Sequence, residues 1–243
     1  MSRREALRSE LLAIVETHKE GFASGTPESK RIDALIDELA PLSPYARAID
    51  HPEVYGGHWA AVYHNIGKLV GGAEAKDQGV GVTASLKVFS MGRLPDIPAR
   101  FLGNGLEIEP RTGAYNFVAQ FELGERRVPS HHFSFAAYRR REENLERFFV
   151  DFGGFCVVPV DSTISMPEFA AAIGVEDPAL LSHEMTPRPK LWSQVAYMDD
   201  DLRIQLGQLG GHYVMRRTAL PMYSIEYFRD KSIAPAFAAA TPA

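Results

Sequence analysis

From Gly57 onward the hydrophobic pattern of this chain changes its period from about 3.6 residues to 2, and that change decides the fold class. Tyr115, Phe117, Ala119 and Phe121 alternate with Asn116, Val118, Gln120 and Glu122. His131, Phe133, Phe135 and Ala137 alternate in the same way with His132, Ser134, Ala136 and Tyr138, and a further alternation runs over 80–88. Successive side chains on a strand point to opposite faces, so these runs read as strands with two distinct sides. Ala99 to Glu109 is a weaker strand candidate, and Glu146 to Val158 a longer one, interrupted by Gly153-Gly154. Paired glycines inside a strand predict a bulge or a sharp corner. Eight or nine strands in succession, joined by short polar turns, predict an antiparallel up-and-down sheet. Closed into a ring, about eight strands leave an interior that is packed or holds one small ligand. A sandwich satisfies the same pattern.

Two helices precede the strands. Leu7, Leu11, Ile14 and Val15 share one face of a helix over 3–19, and Ile32, Leu35, Ile36 and Leu39 one face of a second. Thr26 is placed to cap that second helix, with Pro27 at its first position, and Pro41 and Pro44 end it. Between Pro159 and Pro189 the strand pattern lapses, and Met166 to Ile173 reads as a short helix. The expected organisation is a helical segment over 1–50, a barrel over 51–220 with a helical insertion near 160–189, and a partly disordered tail over 221–243.

A chain of 243 residues with 45% apolar residues can bury a substantial core. Its formal charge of −5, from 26 basic and 31 acidic residues, gives no general attraction to nucleic acid or to anionic membranes. The run Arg139-Arg140-Arg141 is followed at once by Glu142-Glu143 and reads as a solvated loop. No stretch reaches the ~18 apolar residues of a membrane-spanning helix. A single cysteine, Cys156, rules out an internal disulfide. The first residues lack the apolar core of a secretory signal, so the expected location is cytoplasmic.

Motifs for chemistry are sparse. His131 and His132 point to opposite faces of one strand, and no histidine pair has the spacing of a zinc motif, so no metal site is expected. No nucleophile elbow and no dinucleotide-binding glycine pattern occurs, and no cofactor is expected. What remains is aromatic: Trp59 and Tyr63 share a face by count, as do Tyr115, Phe117 and Phe121, and Phe133 and Phe135 share another. Such rings fill a core or, in an open barrel, line a pocket. Near the end, Asp199-Asp200-Asp201 form a turn, after which Leu202, Ile204 and Leu206 alternate with Arg203 and Gln205. Arg203 therefore faces away from the apolar side. Pointing inward, it needs a partner, and Asp199 or Asp201 in the adjoining turn is the candidate.

The same stretch resembles the C-terminal signature of the plastid lipid-associated protein family, also called plastid fibrillins. It carries Tyr197, Asp199, Asp201, Leu202-Arg203-Ile204, Gly207, Gly210 and Tyr213-Val214 in order. Ile32 to Pro41 resembles that family's N-terminal helix, and Gly57-His58-Trp59-Ala60-Ala61-Val62-Tyr63 its first barrel strand. The resemblance extends over roughly 30–217. It implies an antiparallel lipocalin-like β-barrel with N-terminal helices, mainly β, of about 8–9 strands. It also implies a hydrophobic ligand: a lipid, isoprenoid, quinone or pigment. The family usually has a second arginine two residues after the isoleucine, where this chain has Leu206.

Three functions follow as expectations. The first is a carrier, with Trp59, Tyr63, Phe117, Phe121, Phe133, Phe135, Tyr197, Arg203 and Tyr213 as ligand contacts. The second is an enzyme for cyclisation, isomerisation or hydrolysis of a hydrophobic intermediate, with His132, Tyr63, Asp199 and Arg203 as candidate catalytic groups. The third is a scaffold that meets a protein partner through Leu7, Leu11 and Ile14 on the N-terminal helices.

Overall fold

A computed structural model describes residues 1–17, 26–45, 47–66, 83–90, 92–140, 147–208 and 211–219. The chain begins with α1 (Arg3–Thr17) and α2 (Pro27–Leu39), then α3 (Pro52–Tyr55), β1 (Gly57–Ile66), β2 (Thr83–Ser85), α4 (Leu86–Phe89), β3 (Pro98–Glu109) and β4 (Ala114–Leu123). It continues with β5 (Val128–Arg140), β6 (Arg147–Pro159), α5 (Met166–Ile173), β7 (Ser182–Glu184), β8 (Lys190–Met198), β9 (Leu202–Gly207) and β10 (Gly211–Thr218). Eight strands form a ring in the order β1-β10-β9-β8-β6-β5-β4-β3, and β1 closes it by pairing with β3 as well as with β10. Every pairing is antiparallel, β2 adds to the outside of β3, and β7 adds to β6. The fold is thus the antiparallel lipocalin-like barrel that the resemblance implies, and the sandwich that the residue pattern also allowed is not formed.

The alternation over 80–88 does not give one strand. Thr83–Ser85 pairs with β3, and a helical turn takes over at Leu86, whose side chain is fully buried. The first part of that run lies outside the described residues, as does the expected tail over 221–243. The double glycine in β6 does mark a bulge: Phe135 pairs with Gly154 but Ala136 with Phe152, so Gly153 is the extra residue. Gly154 also lies too close to β7 for any side chain, because a Cβ there would stand 2.6 Å from the His183 carbonyl oxygen.

The second helix starts as the sequence predicts, and α5 has caps not anticipated from its sequence. Thr26 accepts from the Ser29 amide at 3.2 Å, and Ser165 and Glu168 form a reciprocal capping box that starts α5. Gly174, at φ 83°, ends α5 in the left-handed conformation that glycine takes without strain.

Three apolar clusters organise the molecule. On the outside, Leu7, Leu11 and Val15 of α1 and Ile32, Leu35, Ile36 and Leu39 of α2 pack on Tyr63, Tyr197, Leu202, Ile204 and Val214. At one end of the interior, Trp59, Leu106, Tyr115, Phe148, Val150 and Met215 pack under Tyr55 and Val54 of α3. At the other end, Phe101, Ala119, Phe121, Phe155 and Val157 meet Phe169, Ala170 and Ile173 of α5. Elements of the chain itself, α3 and α5, pack on the two ends of the interior, and an opening remains beside Leu191 and Trp192. Phe117 and Phe152 touch both interior clusters and mark the middle.

Candidate functional site

Between the two interior clusters lies a cavity of about 90 Å³. Counted outward through its open mouth, the empty space is about 540 Å³. Apolar walls come from Leu106, Phe117, Val150, Phe152 and Met215, with Leu191 and Trp192 toward the mouth. Tyr115, Ser193, Gln205 and Tyr213 supply polar side chains within, and Gln208 another at the rim. Trp192 holds the rim: its amide donates to Gln208 Oε1 at 3.0 Å, its carbonyl accepts the Gln208 amide, and Arg147 lies 4.1 Å over its ring.

The hairpin β9–β10 explains how polar groups enter a greasy interior. Leu202 and Ile204 face the helices outside, so the alternation turns Arg203 and Gln205 inward. Arg203 is completely buried. Its Nε and Nη2 donate to a single atom, Gln205 Oε1, at 3.2 and 2.8 Å, and the Tyr115 hydroxyl donates to that same oxygen at 2.8 Å. Gln205 Nε2 donates onward to Ser193 Oγ at 3.3 Å. Rings close the other sides of the guanidinium, with Tyr55 at 4.5 Å and Trp59 at 5.9 Å. Arg203 Nη1 and the Tyr55 hydroxyl are buried without hydrogen-bond partners among the described residues. Burial pushes the Tyr55 phenol well up against the opposing pull of Arg203, and the Tyr115 phenol moves the same way for the same reason.

The carboxylates expected to neutralise Arg203 go elsewhere. Asp199 accepts the Asp201 and Leu202 amides at 3.0 and 2.8 Å and the Tyr197 hydroxyl at 2.7 Å. Arg8, from α1, forms ion pairs with both Asp199 and Asp201. The acidic turn therefore fastens the first helix to the barrel, and among the described residues no carboxylate pairs with Arg203.

The predicted ligand contacts separate into layers. Phe117 and Tyr213 line the cavity, and Arg203 stands directly behind Gln205 in its wall. Trp59 is interior but lies beyond the wall, with Arg203 on one side and the Arg217 guanidinium 4.2 Å away. Phe121 belongs to the end closed by α5. Tyr63 and Tyr197 are in the outer layer under the helices. Trp59 and Tyr63 do not share a face as the count implies, because the β1–β10 register slips between Ala61 and Tyr63. Phe133 and Phe135 are buried on the outer face: Ser134 pairs with the cavity residue Phe117, so the inward side of β5 carries Ser134 and not its neighbours.

Nor do the candidate catalytic groups converge. His132 is interior, stacked 5.5 Å from Phe155 near the α5 end, while Tyr63 and Asp199 lie on the helix side and Arg203 lies inside. Burial lowers the His132 pKa to about 4, so its ring is neutral. Among the described residues no cluster of three metal-ligating side chains occurs, and no helix is long and apolar enough to cross a membrane.

Gln205 and Ser193 were not among the predicted contacts. Gln205 was within reach of the same alternation that exposed Arg203, two residues away on one face. Ser193 carried no signal, since only the β8–β9 register brings it beside Gln205.

No protein-family model matches the chain. It is 24% identical over 227 residues to "Plastid lipid-associated protein 3, chloroplastic" of Brassica campestris, a match that spans 81% of this chain and 56% of that protein. It is also 24% identical over 227 residues to "Probable plastid-lipid-associated protein 3, chloroplastic" of Arabidopsis thaliana, across 81% of this chain and 54% of that one. The chain spans about half the length of the curated relatives it matches. Their names overturn the cytoplasmic location expected above. That expectation rested on the first residues of a chain that corresponds to only part of longer, chloroplastic proteins.

Proposed function

We propose that this chain, a divergent member of the plastid lipid-associated protein family, binds a hydrophobic small molecule in its barrel by taking one polar end into the cavity. The observation that carries this reading is an apolar chamber with few polar groups, three of which, Gln205, Ser193 and Tyr115, are joined by hydrogen bonds in its wall. Ligand sites have that composition. The lipid association in the relatives' names supports the same class of ligand. The enclosed room of about 90 Å³ is well below the ~300–1,000 Å³ of a site that swallows a drug-sized ligand. A head group and a few carbons fit inside, and the remainder of a long isoprenoid or acyl chain runs out past Leu191 and Trp192.

Catalysis in the barrel finds less support. Tyrosines are the titratable groups among the described lining residues, and burial pushes the Tyr213 phenol up to about 12, out of range for acid–base work near neutrality. Native mass spectrometry of freshly purified protein tests the binding reading, combined with organic extraction. The expected result is a lipophilic adduct that is lost on extraction and regained on incubation. Leu191→Trp, which adds bulk at the half-buried mouth, lowers that uptake. A protein that carries nothing and takes up no lipophilic dye would refute the proposal.

A further inference from the structure

We propose that the ligand's polar end is a carboxylate, received where Arg203 and Tyr115 converge. This rests on the ligand reading above and narrows it to an anionic amphiphile of the fatty-acid type. Three donors, Arg203 Nε, Arg203 Nη2 and the Tyr115 hydroxyl, meet on one uncharged acceptor, Gln205 Oε1. A guanidinium edge with an added hydroxyl is the donor set that a carboxylate fills best, because both oxygens of the anion accept from the planar fork. An amide oxygen occupies the position without supplying the charge.

The surroundings point the same way. Interior acidic groups are missing among the described residues: Asp199 and Asp201 serve Arg8, Asp151 pairs with Arg139, and Glu107 lies 3.5 Å from His58 Nδ1. Arg217, half-buried at the end of the barrel, also contacts the Trp59 ring, but it gives its hydrogen bonds to the backbone carbonyls of Val54, Gly56 and Asp200 and has Asp200 and Asp201 beside it. Arg203 therefore leaves the interior among the described residues with a buried positive charge and no carboxylate, in a setting of low polarity where one anion is strongly favoured. Access runs through Gln205, which is at once the cavity wall and the cover over Arg203. Turning its side chain aside leaves the fork and the Tyr115 hydroxyl facing the chamber, and a carboxylate takes the place of the amide oxygen.

The test compares decanoic acid with methyl decanoate at pH 7.5, by equilibrium dialysis and by quenching of tryptophan emission, with Trp192 at the rim as reporter. Wild-type protein binds the acid at least about tenfold more tightly than the ester. Gln205→Glu supplies the missing anion from within, so the acid-to-ester ratio falls to about one or below. The same variant melts at a higher temperature than wild type, which shows that it is folded and that the cation has gained its partner. A wild-type ratio near one overturns the carboxylate assignment while leaving the hydrophobic cavity standing. So does a high ratio that survives in Gln205→Glu, since the discrimination then arises elsewhere. Binding of neither probe refutes the cavity reading, and the anion site falls with it.

Discussion

Replacing Arg203 by methionine separates a residue kept for its ligand from one kept for stability. In the folded protein the guanidinium makes two charge-assisted hydrogen bonds to Gln205 Oε1, together worth about 3 kcal/mol. Its contact with the Tyr55 ring at 4.5 Å adds about 2 kcal/mol in so desolvated a place. Against this stands the cost of holding a fully buried cation with no carboxylate beside it, several kcal/mol after relaxation. Methionine is long and flexible enough to fill most of the space. Gln205 Oε1 keeps its bond from Tyr115, so no new orphan is made on that side. The net change is within about 2 kcal/mol of zero, and its sign leans toward stabilisation. In a protein of this size 1 kcal/mol shifts the melting temperature by about 2–4 °C. Arg203→Met therefore melts within about 8 °C of wild type, or above it, while losing its preference for an acid over an ester. Chemical denaturation measured beside ligand binding gives both numbers. A loss of more than about 3 kcal/mol, the range for stripping one partner from a buried pair, would show that the arginine is chiefly structural and would refute this reasoning.

Three further outcomes follow from the packing and the titrating groups. Gly154→Ala sets a Cβ 2.6 Å from the His183 carbonyl oxygen, where backbone cannot yield cheaply, and costs about 1–3 kcal/mol in urea denaturation; Gly103→Ala, with 3.7 Å to a Gln120 side-chain atom, is mild by comparison. Leu11→Ala empties a fully buried position between α1 and the barrel and costs about 2–5 kcal/mol by the same measure. The buried His132 has a folded pKa of about 4, below the ~6.5 of the unfolded chain. The unfolded state thus binds the extra proton first, and His132's contribution is complete above pH ~6.5 and lost as the pH falls toward 4. His132→Phe makes the stability profile shallower across that window, with His131, lowered by burial to about 4 as well, keeping the remaining slope; an unchanged slope would remove His132 as a cause.

Much of the fold was legible because its signals are local. Thr26 and Pro27 cap a helix through neighbouring backbone, Gly153 bulges beside Gly154, which has no room for a side chain, and the alternation from Leu202 to Gln205 separates a helix-facing side from an interior one. The site was legible in part. Arg203, Phe117 and Tyr213, which the sequence marks, lie at or behind the cavity, whereas Gln205 shares the face of Arg203 and carries no charge or ring to single it out. Misplaced groups share two causes. A register slip of one residue, as between Ala61 and Tyr63, exchanges the two sides of a strand and leaves no mark in composition. Long-range pairing was equally silent: Arg8 takes Asp199 and Asp201 across nearly the whole chain, and an alternating run such as Phe133 and Phe135 does not say which of its faces is the inside.

The ring also sets an order of events in synthesis. Strand β1 hydrogen-bonds to β3 on one side, but its other neighbour is β10, the last described element. Until residues 211–218 have left the ribosome, β1 and β9 each present a raw margin of unpaired amides and carbonyls, the kind of surface that recruits other chains. Such a polypeptide has reason to emerge in the company of a chaperone, and a stop codon placed just before β10 would leave an open, adhesive sheet where the complete chain makes a sealed one.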